Sequence, residues 1–145
     1  MWMEEGMVGN VRQFREKGGD SEKITINLGF VDLGRIDLLV QEGFYQNRTD
    51  FIRTAIRNQI GTHSEEVSRS IDRHTLELGL RDYSVSDLES ARRAGDLLHI
   101  KVVGLARIAA DVTPELALAT IGSMTVLGTL QASPEVKKAL ADRIR

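Results

Sequence analysis

Residues 21–60 read SEKITINLGFVDLGRIDLLVQEGFYQNRTDFIRTAIRNQI, and the organisation of the N-terminal half follows from them. Lys23-Ile24-Thr25-Ile26-Asn27-Leu28 alternates polar and apolar without a break. In a strand, Ile24, Ile26 and Leu28 share one face, and Lys23, Thr25 and Asn27 share the other. A lone short strand leaves its ladder groups unpaired and its apolar face uncovered, so it needs a partner. No comparable alternating run lies close by, and the simplest partner is the same strand of a second chain. The expected product is a dimer joined by a two-stranded antiparallel ribbon.

Two helices should follow. The first is expected over about Val31–Glu42, with Leu33, Ile36, Leu39 and Val40 on one face and Gly43 as the left-handed residue that ends it. Gly29, just beyond the strand, would permit the turn into it. The second should start at Asn47, whose side chain caps it, with Asp50 as the reciprocal partner. Phe51, Ala55, Ile56 and Ile60 then recur at helical spacing toward a core, while Arg53 and Arg57 lie on a more polar face.

Gly43-Phe44-Tyr45-Gln46-Asn47-Arg48-Thr49-Asp50-Phe51-Ile52-Arg53-Thr54-Ala55-Ile56-Arg57 is similar to the pattern G-x-Y-x-S-R-S-E-x-I-R-x-A-[IL]-R of many ribbon-helix-helix regulators. Asn47 and Thr49 stand in place of serines and Asp50 in place of Glu; all three keep capping chemistry. Residues 21–60 thus resemble a ribbon-helix-helix domain of the CopG/MetJ/Arc type. The resemblance implies a transcriptional regulator, with repression the default expectation, binding double-stranded DNA at an operator repeat. A two-stranded ribbon fits the major groove. Lys23, Thr25 and Asn27 would then read bases: Asn pairs with adenine, Lys reaches guanine acceptors, and Thr bonds or touches a thymine methyl. Asn47, Arg48 and Thr49 would clamp phosphates through the backbone N–H groups that open the second helix, with the Thr49 hydroxyl added.

Charge gives this reading no help. The 145-residue chain has 19 Lys and Arg against 21 Asp and Glu, a formal net charge of -2. Within residues 21–63, Lys23, Arg35, Arg48, Arg53 and Arg57 are balanced by Glu22, Asp32, Asp37, Glu42 and Asp50. Nucleic-acid binders usually carry a basic excess. Helix N-termini supply donors and a dipole to phosphates without one, so the balance argues against tight nonspecific binding more than against specific binding.

Composition narrows the class further. There is no cysteine, which excludes disulfides, thiolate zinc sites and Cys nucleophiles. No apolar run approaches the roughly 20 residues of a membrane span, and the acidic start Met1-Trp2-Met3-Glu4-Glu5 is unlike a signal peptide. A cytoplasmic protein with no membrane partner is expected.

The last 50 or so residues hold an internal repeat. Ile100-Lys101-Val102-Val103-Gly104-Leu105-Ala106 aligns with Met124-Thr125-Val126-Leu127-Gly128-Thr129-Leu130. Thr113-Pro114-Glu115-Leu116 and Ser133-Pro134-Glu135-Val136 follow, each a cap, a proline at the first helical position and an acid in the first turn. The chain's only two prolines occupy equivalent places. The unit is strand, loop, helix, twice over, and two units are fewer than stacked repeats normally need. The strands should pair in parallel through a crossover or be completed by another subunit. Gly104 and Gly128 inside strands suggest bulges or close backbone packing.

Between the halves, a helix over Ser64–Leu78 closed by Gly79 is expected, then a short one over Asp87–Ala94 opened by the Ser86/Glu89 spacing and closed by Gly95. The fold class is therefore mainly α with an α/β C-terminal part. Residues 1–20 form a mobile arm, 21–63 the ribbon-helix-helix domain for DNA binding and dimerisation, 64–95 a helical connector, and 96–145 a twofold strand–helix repeat domain for regulation or for a tetramer or higher assembly.

No catalytic constellation is visible: no G-x-S-x-G, no P-loop, no G-x-G-x-x-G. No enzyme activity and no cofactor are expected. His63 and His74 lie about three helical turns apart, over roughly 15 Å along a continuous helix, and cannot share an ion within one chain; with His99 they are expected to be structural or exposed, not metal ligands. Two other readings remain. The C-terminal half could neutralise a toxin, making the chain an antitoxin, or the protein could be a self-associating scaffold that does not bind DNA.

Overall fold

A computed structural model describes residues 21–145; the expected arm over residues 1–20 lies outside the described residues. The chain divides into two compact units, Lys23–Asp72 and Arg73–Arg145, the latter with Ser21 and Glu22.

The first unit is helical. Residues 21–29 carry no regular secondary structure and are exposed throughout. The strand expected over Lys23–Leu28 is not formed, and among the described residues it has no ladder partner. Helix α1 runs Phe30–Gln41 and α2 Arg48–Thr62, each within a residue or so of expectation. Gly29 precedes α1 with φ -64°, a conformation open to any residue, so no special turn explains that glycine. Gly43 does end α1 in the left-handed region at φ 90°. The N–H of Phe44 donates to the Leu39 carbonyl at 3.0 Å and that of Gly43 to Val40 at 3.1 Å, which satisfies two carbonyls at the helix end.

Helix α3 spans Ser64–His74 and stops short of the expected Leu78. Thr75, with φ 55°, breaks it, and Gly79 lies within a strand rather than at a helix end. The segment read as a helical connector therefore contains strand β1, Glu77–Tyr83. Helix α4, Val85–Ala94, follows. Its cap is Ser84 with Asp87, not Ser86 with Glu89: the Asp87 N–H donates to Ser84 Oγ at 3.1 Å, and the Ser84 N–H to Asp87 Oδ2 at 3.0 Å. Ser84 wins because it directly follows the strand, where the backbone is already extended (φ -89°, ψ 168°) as an N-cap requires. Gly95 closes α4 at φ 74°.

Strand β2 (Leu98–Ile108), helix α5 (Pro114–Thr120), strand β3 (Ile121–Gln131), helix α6 (Pro134–Ala139) and a 3₁₀ turn at Ala141–Arg143 complete the chain. The three strands form one parallel sheet in the order β1-β2-β3. The repeat thus has three units, not two. Leu78-Gly79-Leu80 pairs in register with Val103-Gly104-Leu105, which pairs with Leu127-Gly128-Thr129. The first unit escaped the sequence reading because Ser84-Val85 replaces the Thr/Ser-Pro start and because Glu77, Arg81 and Asp82 break the apolar run.

The three caps are equivalent. Thr113 Oγ1 accepts from the Leu116 N–H at 3.1 Å and Ser133 Oγ from the Val136 N–H at 3.2 Å, matching Ser84 and Asp87. Helices α4, α5 and α6 pack in a row against one face of the sheet. Leu88, Leu116, Ala117 and Val136 from the helices meet Ile100, Val102, Ala106, Ile108 and Met124 from the strands in one apolar core. Three stacked units, each burying its neighbour's face, give this unit a core of its own.

Gly104 and Gly128 show why the strands carry glycine. Their φ values are 138° and 121°, and a Cβ on Gly104 would collide with the Gly79 carbonyl, one on Gly128 with the Gly104 carbonyl. This is the close backbone packing expected of them. The far edge of β3 is partly covered by the chain end: Ile144 bridges Met124, and the Arg145 N–H donates to the Met124 carbonyl at 2.8 Å. Arg143 fixes this end by donating to the Leu118 and Ile121 carbonyls, both at 2.7 Å.

Candidate nucleic-acid interface

The segment before α1 presents Lys23, Thr25 and Asn27 to solvent. Ile24, Ile26 and Leu28 are exposed as well, at 73%, 60% and 39%. The single chain therefore covers neither set of the alternating side chains.

The turn into α2 is firmly built. Asn47 is extended (φ -165°, ψ 178°) and its Oδ1 accepts from the Asp50 N–H at 2.8 Å. Asp50 does reach back, but to the Gln46 N–H at 2.9 Å rather than to that of Asn47. Tyr45 and Phe51 meet edge to face with ring centroids 5.0 Å apart, which ties the turn to the first turn of the helix.

Arg48 has a role that the sequence did not disclose. Its Nε and Nη2 donate to Asp37 Oδ1 and Oδ2, both at 2.8 Å. This two-point pairing holds the start of α2 to the middle of α1. The partners sit on different helices across a glycine turn, so no i,i+3 or i,i+4 spacing announces them. With its guanidinium committed to Asp37, what Arg48 presents at the helix start is its backbone N–H. In an α-helix the first N–H groups lack intrahelical acceptors, so those of Arg48 and Thr49 can meet an anion there.

The hydrogen bonds from Arg48, and secondarily its charge, hold the Asp37 carboxyl below the ordinary carboxylate value of 3.8. A depressed carboxyl contributes stability above its unfolded value and loses it as pH falls through the lower folded value. The pair is solvent-exposed and screened, so its effect on global stability is small. NMR titration of Asp37 should give a midpoint below 3.8 that returns to the ordinary value in Arg48→Ala. An unchanged midpoint would mean that the pair does not form in solution.

Arg53 and Arg57 are exposed on α2. The histidines are dispersed: His63 lies 3.9 Å from Glu66 and 3.4 Å from Gln59, His74 is the last residue of α3, and His99 Nδ1 is 2.8 Å from Ser123 Oγ. Among the described residues no group of three or more His, Asp or Glu could hold a metal ion. No helix there is long and apolar enough to cross a membrane.

No curated protein and no solved structure matches the chain. A family profile matches residues 19–137, from the segment ahead of α1 into α6, so that all three strands of the strand–helix repeat fall within it too. The chain belongs to the Ribbon-Helix-Helix transcriptional regulator family.

Proposed function

We propose that this protein is a homodimeric, sequence-specific DNA-binding repressor that reads the major groove with a ribbon made from residues 23–28 of two chains. The observation that carries the reading is the incomplete first unit. Among its described residues Ile36 alone is a buried hydrophobic side chain, while Ile24, Ile26, Phe30, Phe44, Ile56 and Ile60 are exposed. A unit of this size without a core is not stable alone, so its exposed apolar side chains call for a partner to cover them. Pairing two copies of residues 23–28 would satisfy the strand ladder and cover Ile24, Ile26 and Leu28 together.

In that dimer Lys23, Thr25 and Asn27 form the outward face of the ribbon and contact base edges. Asn47, Arg48 and Thr49 offer backbone N–H groups to phosphate, with Arg48 held in place by Asp37. The C-terminal sheet serves assembly or effector response. Its ordered apolar core weighs against the antitoxin reading, in which a tail folds on its toxin.

Electrophoretic mobility shift with the DNA upstream of its own gene tests the proposal. A sequence-selective shift is expected, and absence of any shift at low salt would favour the scaffold reading. Asn27→Ala and Thr25→Ala should each relax preference at one or two base pairs, by roughly 1–3 kcal/mol per position. Equal weakening on every sequence would remove these residues from the base-reading role.

A further inference from the structure

Among the described residues, strand β1 forms one edge of the sheet, and it has an unusual feature. Gly79 has φ 128°, the conformation that Gly104 and Gly128 share. At those two positions the preceding strand's carbonyl occupies the space where a Cβ would lie, whereas at Gly79 no described atom comes within 4 Å. Gly79 therefore leaves room for another backbone to approach closely on that side. At the other end of the sheet, Ile144 and Arg145 partly cover β3, so a second copy cannot simply stack its β3 against β1 by continuing the ladder.

The residues along this edge are self-complementary. Glu77-Leu78-Gly79-Leu80-Arg81 is balanced about Gly79. If two β1 strands pair antiparallel about a twofold axis at Gly79, Glu77 faces Arg81 of the second copy and Arg81 faces its Glu77. Leu78 and Leu80 face each other likewise, and the two glycines meet at the centre. Opposite side chains in an antiparallel pair lie on the same face and in contact range, so the charges attract and the leucines pack. Within one chain Glu77 and Arg81 already form an ion pair, and pairing would join two such pairs into a cluster of alternating sign. Leu78 and Leu80, 71% and 47% exposed, would gain cover. Any other register loses the match: centring on Leu80 sets Leu78 against Asp82 and Glu77 against Tyr83.

We propose that the outer edge of β1 is a second self-association surface, on which another copy of this chain pairs antiparallel about Gly79 and doubles the sheet. The interface is isologous, so it closes on itself rather than propagating. It lies outside residues 23–72 and does not depend on the ribbon reading.

The absence of native cysteine makes the register directly testable. Two differently tagged full-length chains, one Leu78→Cys and the other Leu80→Cys, are co-expressed, oxidised and separated without reductant. A disulfide requires closely apposed Cβ atoms, which this register provides only between unlike variants. The expected result is a band of twice the chain mass carrying both tags, absent when either variant is expressed alone. Adding Arg81→Glu to both chains should lower its yield, and adding Glu77→Arg as well should restore it. No mixed disulfide, or equal cross-linking in the single-variant samples, would overturn the proposal. Both substituted positions are exposed, so folding is retained, and DNA binding assayed on the same chains separates failure here from failure of the ribbon reading.

Discussion

Gly104→Ala is expected to unfold the strand–helix unit or leave it barely stable. The residue's φ of 138° disfavours any L side chain, and the new Cβ would strike the Gly79 carbonyl, which is backbone and has no rotamer to escape into. Strain of this kind costs about 1–3 kcal/mol, and the collision adds to it, giving a total of roughly 3–5 kcal/mol. That is a large share of the roughly 5–15 kcal/mol by which domains are stable. Gly79→Ala is the comparison, since it shares the conformation (φ 128°) but meets no described atom, and should cost only about 1–3 kcal/mol. Urea unfolding of the full-length chains followed by circular dichroism measures the difference. Equal losses at the two glycines would mean that conformation alone, and not the close approach between strands, explains Gly104.

Ile26→Asp should abolish both the ribbon dimer and DNA binding while leaving the strand–helix unit folded. If residues 23–28 of two chains pair, Ile26 lies at the centre of the covered face, and a carboxylate there is buried without a partner. Breaking an interface in this way costs several kcal/mol, so operator affinity should fall by at least about 100-fold. Lys23→Ala, by contrast, leaves dimerisation untouched. Analytical ultracentrifugation together with mobility shift provides the readout. A variant that still binds DNA normally would show that Ile26 does not sit in the interface.

These two sites differ in how legible they were. The helices α1 and α2 could be read from Leu33, Ile36, Leu39 and Val40, from Asn47 and from Gly43, because amphipathic spacing and capping are local properties and leave local marks. The caps at Thr113 and Ser133 were equally plain, since proline at the first helical position joins an acid in the first turn. Strand β1 was missed because its first half continues the helical spacing Val67, Ile71, His74, Leu78. Only its pairing with β2 makes Glu77–Tyr83 a strand: the ladder bonds and the burial of Tyr83 outweigh a weak local helical preference. The Arg48–Asp37 pair was illegible for the same reason, as it exists only once the turn at Gly43 has folded α2 back beside α1.

By itself, the sequence determined the family resemblance, the two helices with their caps and the glycine positions in the strands, because spacing, capping and composition are visible in one dimension. The tertiary structure alone decided that the repeat has three units, that α3 gives way to a strand at Thr75, and that Gly104 and Gly128 are required by the carbonyls of the strands before them. Those outcomes depend on distances between segments far apart in the chain, and such distances are set by the packing of the sheet against its helices rather than by any local preference.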